Sequence, residues 1–255
     1  MLICGMCGGV AEKLANSHIY PASMTREQSA GSELVAAKPE RGHVVIATAG
    51  LRDRIVCTRC EQLFHPFDDE GIRFRRRALK LEGLVGFRHE SIRLPTLRAD
   101  ASKLHTFALQ TVLRAALSNH TPDVPVSELT QWTANRLLDG RPTVDDGPEV
   151  FIRIIRGDLG AVSMDPALHQ DATPPCYILH MPNMTIFVAR DVGGKLDRSC
   201  SHMTLRAGTE VTIWRSRIEL YELARITDGV APVAAEMRKV FKKLERSSAR
   251  RKRKQ

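Results

Sequence analysis

Two cysteine pairs of identical spacing, Cys4-x2-Cys7 and Cys57-x2-Cys60, constrain this chain more than any other feature. A Cys-x2-Cys pair brings two thiolates within reach of one tetrahedral ion. Two such pairs complete a closed Cys4 zinc site with no open coordination position, so the metal they imply is structural. The 49 residues between the pairs exceed the insert of a simple zinc ribbon, so the site must bracket a subdomain. The alternative is four unrelated buried thiols. Disulfides are not expected, because the N-terminus MLICGMCGGVAEKL lacks a charged stretch, a sustained apolar run and a small-residue cleavage site. The expected setting is the cytoplasm. Cys176 and Cys200, the other two cysteines, fit buried strand positions.

The composition is that of an ordinary globular protein, and no apolar run is long enough to span a bilayer. The net charge of +9 suggests an anionic partner until it is partitioned. Residues 238–254 hold ten basic residues and one acid, which leaves 28 basic and 28 acidic residues elsewhere. The body is neutral and the charge is a C-terminal tail. Arg250, Arg251, Lys252, Arg253 and Lys254 form its densest run and are the candidate nucleic-acid contacts, phosphate-directed and salt-dependent. The same run has the composition of a nuclear address. Arg73 to Lys80 is a second basic cluster, read as a solvated face.

The segmental reading is α+β. Residues 1–75 form the zinc-binding unit, 76–245 an α+β C-terminal domain and 246–255 a disordered basic tail. In the first unit, Arg26 to Arg41 has no clean period and reads as loop or weak helix, while Gly42–Ala49 and Asp53–Val56 read as strands. A short helix is expected within Glu61–Asp69. Leu104, Phe107, Ala108, Val112, Leu113 and Ala116 repeat at helical spacing after a cap at Asp100 or Ser102. A second helix runs from an N-cap at Ser127 to a stop at Gly140, and the two form a helical hairpin. VFIRII, CYILHM, MTIFVA and EVTIWRSRIEL are strands of a mainly antiparallel region, with residues 157–175 an exposed loop. Trp132 and Trp214 fall in apolar patterns and read as core. A C-terminal helix starts near Pro232 and leads into the tail.

The chain has no Walker A loop, dinucleotide fingerprint, Gly-x-Ser-x-Gly elbow or His-Glu-x-x-His helix. The combination CGMCG, SHIYPAS and VCTRCEQLF resembles the zinc-bracketed branch of the HNH endonuclease superfamily, and within it a group of bacterial and phage-type proteins. The resemblance covers about the first 70 residues. It implies an N-terminal treble-clef, HNH-like fold with structural Zn2+ on Cys4, Cys7, Cys57 and Cys60. It further implies phosphodiester hydrolysis with His18 as general base and Mg2+ or Mn2+ as catalytic ion. The acidic metal ligand that usually precedes the histidine is Ser17 here. The strand that carries the orienting Asn of the family has Arg52, Asp53 and Arg54. The ligand after the second knuckle is Glu61, a carboxylate able to bind magnesium, with His65, Asp68 and Asp69 one or two helical turns on. Two functions therefore compete. One is a metal-dependent endonuclease using His18 and Glu61; the other is a catalytically degenerate adaptor, with His18 structural, that binds nucleic acid or a protein partner.

Overall fold

The computed structural model describes residues 1–26, 34–38, 43–47, 51–80, 92–156, 162–197 and 204–217. For 25–26, 34–38, 43–47, 92–95, 156, 162–164 and 214–217 the description is of the backbone alone. It is a mixed helix and strand structure. The expected C-terminal helix and the tail of residues 246–255 lie outside the described residues, as do Cys200 and the side chain of Trp214.

Strands β1 (Leu2–Ile3) and β2 (Val10–Ala11) pair around the first cysteine pair. After them come β3 (Leu14–His18), α1 (Ala22–Arg26), β4 (Leu34–Lys38) and β5 (His43–Ala47). β6 (Arg52–Cys57) runs directly into α2 (Thr58–Lys80), so the second cysteine pair straddles a strand end and a helix start. β7 (Ile92–Arg98) leads into the helices α3 (Ala101–Leu117) and α4 (Glu128–Asp139). The remaining strands are β8 (Val150–Arg156), β9 (Val162–Met164), β10 (Ala167–His169), β11 (Cys176–Met181), β12 (Met184–Ala189) and β13 (Glu210–Arg217).

A six-stranded sheet has the order β10-β11-β12-β8-β13-β7, antiparallel except where β13 runs parallel to β8. β3 and β6 form a separate antiparallel pair, and β4 lies between β5 and β9. The strand at β4 departs from the expected loop or weak helix, and β9 and β10 fall inside a segment expected to be an exposed loop. These strands are three to five residues long, too short to display a period, and are held by pairing with distant partners. α2 also runs past its expected end near Asp69, through Pro66, because Phe64, Gly71, Phe74 and Ala78 bury its far half. A domain boundary at residue 75 would fall inside this helix. One hydrophobic cluster spans it, joining Cys4 and Val56 to Phe107, Leu179 and Ile213. No described helix is long and apolar enough to cross a membrane.

α3 is the centre of this packing. Every residue from Leu104 to Ala115 is buried, so the helix is covered all round and not along one stripe. Both caps match the sequence reading: the Asp100 side chain accepts from the Lys103 N–H, and for α4 the Ser127 side chain closes a capping box with Thr130. Gly140 ends α4 at φ 67°, where a side chain would be strained. α2 and α3 approach closely at Gly71, where a Cβ would lie 2.8 Å from the Phe107 ring.

Each buried polar side chain of α3 has at least one partner, although Gln110 Oε1 and Arg114 Nε are left without one. Arg114 donates bidentately to Asp68 of α2 at 3.0 and 2.7 Å and lies 4.3 Å over the Phe64 ring. Gln110 donates to the same carboxylate at 2.7 Å. Removing one member of such a buried pair typically costs about 3–5 kcal/mol, because the other is left uncompensated. The basic cluster on α2 is likewise mixed. Arg75, expected on a solvated face, is buried and donates to Pro182 O at 2.8 Å and Asn183 Oδ1 at 3.2 Å, tying α2 to the β11–β12 turn. Arg76 and Arg77 are exposed.

His105 is held by Thr143 Oγ1 on Nδ1 and Pro148 O on Nε2, both at 2.8 Å. Since a carbonyl can only accept, Nε2 carries the proton and Nδ1 accepts from Thr143. Burial pulls its pKa below the usual 6.5, against the opposing effects of Pro148 O and Asp145. The unfolded chain therefore takes up this proton first as pH falls. The stabilisation is full above pH 6.5 and is lost as pH drops below it, with a slope approaching about 1.4 kcal/mol per pH unit. Urea unfolding between pH 7 and 5 should show that loss in the wild type and a flatter profile in His105→Gln.

Candidate metal centre

The first cysteine pair lies in a tight loop between β1 and β2. Cys4 N–H donates to Gly9 O and Gly8 N–H to Cys4 O, both at 2.9 Å, and Gly8 takes φ 69° to make the turn. This loop docks on β6: Gly5 N–H donates to Ile55 O at 2.9 Å, and Cys57 N–H donates to Cys4 Sγ at 3.2 Å. Gly5 fits because a Cβ there would come within 3.0 Å of Ile55 O. Cys57 ends β6 and Cys60 sits in the first turn of α2. The sequence-predicted ligands Cys4, Cys7, Cys57 and Cys60 are thus brought together, with all four Sγ atoms within 4.8 Å of one another.

That donor set suits a metal ion such as zinc. Zn–S bonds of about 2.3 Å place tetrahedral sulfurs roughly 3.8 Å apart, so modest contraction around an ion closes the site. Cys4 and Cys60 are 1% exposed, whereas Cys7 is exposed and Cys57 half-buried. Burial acts to raise the Cys4 thiol, but N–H groups of Cys7, Cys57 and Met6 outweigh it and bring its pKa down to about 7. Cys60 is pushed up, first by burial and then by the three neighbouring thiols. Four sulfurs packed without a cation cannot all ionise; a divalent ion removes that conflict.

Beyond the cysteines, the β3–β6 pair and the start of α2 hold the other sequence-predicted residues. Ser17 is fully buried and donates from Oγ to Glu61 Oε2 at 2.5 Å. The residue before the histidine and the residue after the second knuckle therefore meet each other. His18, half-buried at the end of β3, is the cross-strand partner of Arg52. Asp53, opposite Ser17, turns towards the end of α3 and accepts from Arg54 N–H at 2.7 Å and from Ser118 Oγ and Asn119 N–H at 3.0 Å. Burial works against its ionisation, but these three donors and His120 outweigh it and hold the carboxyl below the usual range.

Asp68 is engaged by Arg114 and Gln110, and His65 and Asp69 are exposed. Among the described residues, no other group of three His, Cys, Asp or Glu side chains converges as the four cysteines do. Arg250, Arg251, Lys252, Arg253 and Lys254 lie outside the described residues. Sequence reasoning missed Ser17 as the partner of Glu61, and Arg114 as the partner of Asp68. The only available sign of the first was a small hydroxyl replacing an acid next to His18, and nothing local indicated the second. No protein-family model, curated protein or solved structure matches this chain.

The metal content of the purified protein checks the centre directly. One tightly bound ion per chain is expected by mass spectrometry. Cys60→Ser should lose it and melt at least about 10 °C lower, equivalent to several kcal/mol at roughly 2–4 °C per kcal/mol.

Proposed function

We propose that this chain is a zinc-stabilised, HNH-like protein of the treble-clef type that binds nucleic acid without hydrolysing it. Zn2+ on Cys4, Cys7, Cys57 and Cys60 has an architectural role: it fixes the β1–β2 loop to the strand–helix junction and carries no reaction. The order of cysteine loop, β3–β6 pair and helix with the second cysteine pair in its first turn supports the treble-clef reading. The cytoplasm, which keeps thiols reduced, is the proposed setting.

The observation that carries the loss of hydrolysis is the Ser17–Glu61 hydrogen bond. An HNH-type reaction needs two ligands facing an open, hydrated divalent ion beside the general base. Here one position is a neutral hydroxyl that donates into the other, which occupies a carboxylate oxygen and supplies no second anionic ligand. Asp68, the next acid along α2, is neutralised by Arg114. Nucleic acid is the proposed partner on the resemblance and on the basic run from Arg250 to Lys254.

A metal-dependent endonuclease is the second reading, favoured by His18 at a strand end with the Glu61 carboxylate in the first turn of the following helix. In that reading His18 activates water and Glu61 holds Mg2+ or Mn2+. Incubation of supercoiled plasmid with the zinc-loaded protein and either ion separates the two. No nicking above a protein-free control is expected. Nicking by the wild type that His18→Ala abolishes would establish the endonuclease and overturn the non-hydrolytic reading.

A further inference from the structure

The four sulfurs of the cysteine centre differ in what covers them. Cys4 and Cys60 are 1% exposed and Cys57 is half-buried, whereas Cys7 is exposed, as are Gly8, Gly9 and Val10 after it. The two glycines keep that side open. A Cβ at Gly8 would meet nothing within 4 Å, and a Cβ at Gly9 would lie 3.4 Å from Cys7 Sγ, so a side chain at position 9 would stand beside this sulfur. All four Sγ atoms lie within 4.8 Å of one another. An ion held among them would bind Cys7 from the inside and leave its outer side to solvent.

Cys7 also shares one tight turn with Cys4. The bond from Gly8 N–H to Cys4 O at 2.9 Å closes this turn. Residues three apart in such a turn have Cα atoms within about 7 Å, the span of a disulfide. Cys4 and Cys7 are the two ligands that the β1–β2 loop supplies, while Cys57 and Cys60 belong to β6 and α2. Without the first two, the loop would keep its hydrogen bonds at Gly5 and Cys4 to β6 but no share in the ion.

We infer that Cys7 is an oxidation site at which hydrogen peroxide opens the centre, joining Cys7 to Cys4 and releasing the ion. The inference rests on the zinc reading above and adds a second, metal-free state to it. Zn2+ keeps all four sulfurs as thiolates, so access decides which reacts first. The Cys7 thiolate attacks one peroxide oxygen: an S–O bond forms, the O–O bond breaks and hydroxide leaves. The sulfur gives up two electrons and the peroxide takes them, leaving a sulfenic acid at Cys7. The Cys4 thiolate then attacks the Cys7 sulfur from the inner side; the S–S bond forms, the S–O bond breaks and a second hydroxide leaves towards solvent. Both hydroxides take protons from solvent and become water. Zn2+ is left with Cys57 and Cys60, half of its ligands, and dissociates.

Titration of the full, zinc-loaded chain with hydrogen peroxide tests this. A chromophoric chelator follows zinc release, and free thiols are blocked with N-ethylmaleimide for peptide mass spectrometry. Release should keep pace with a Cys4–Cys7 disulfide, with Cys57 and Cys60 still free at early times. Gly9→Leu keeps all four ligands, and Gly9 is outside the left-handed region, so the substitution is unstrained there. It should load zinc as the wild type does and release it about tenfold more slowly, because the reacting sulfur is covered. Cys7→His offers the ion a Cys3His set without the reacting sulfur and should release it more slowly still. If a variant does not load zinc, the disulfide map of the wild type decides. A Cys57–Cys60 disulfide formed first, release from Gly9→Leu at the wild-type rate, or zinc that excess peroxide does not release would each overturn the inference and leave the zinc reading standing. A wild type that holds no zinc before peroxide is added overturns the zinc reading itself.

Discussion

Four thiols meeting between two segments far apart in sequence are the constraint on which the N-terminal half depends. The β1–β2 pair is two residues per strand, with Leu2, Ile3 and Val10 exposed. Its strands contribute little burial, its loop adds only Cys4 and Met6 to the core, and two hydrogen bonds link it to β6. A divalent ion held there would change the balance in two ways. It would take all four sulfurs as ligands, and it would join the loop at Cys4 to the junction of β6 and α2 at Cys57. That junction sets where α2 starts. The placement of α2 in turn fixes Glu61 against Ser17, Asp68 against Arg114 and Gly71 against Phe107.

The same chain of placements decides how the polar groups around His18 are used. The strand pair and helix stand in an order that could carry a reaction centre. Their polar groups are nevertheless spent on each other: a serine on a glutamate, an aspartate on the end of α3, another aspartate on an arginine. Each bond strengthens the seam between the strand pair, α2 and α3, and each removes a ligand that a hydrated ion would need.

What the sequence made legible follows from how local each signal is. The ligands were readable because Cys-x2-Cys spacing is itself the geometry of the site, and α3 and α4 because Asp100, Ser127 and Gly140 cap them with their own side chains or backbone. The full burial of α3 was not readable. Periodicity marked Leu104, Phe107 and Val112, but Arg114 is buried because Asp68, 46 residues away, meets it. For the same reason Arg75 looked like part of a solvated basic cluster until Pro182 and Asn183 accepted its donors. β4, β9 and β10 escaped because their strand character lies in distant partners, and the parallel β8–β13 pairing is likewise a nonlocal event. At the candidate site, His18 and Glu61 could be named from their positions. That Ser17 bonds Glu61 could not be known before the strand and helix were placed.

The arrangement of the N-terminal half depends on whether an ion closes the four-cysteine site. X-ray absorption at the zinc edge of the chelator-washed protein measures it most directly. Four sulfur neighbours at about 2.3 Å are expected, with no nitrogen or oxygen ligand. A protein that retains no metal, or a zinc bound partly by nitrogen or oxygen, would contradict a closed Cys4 centre at the junction of β6 and α2.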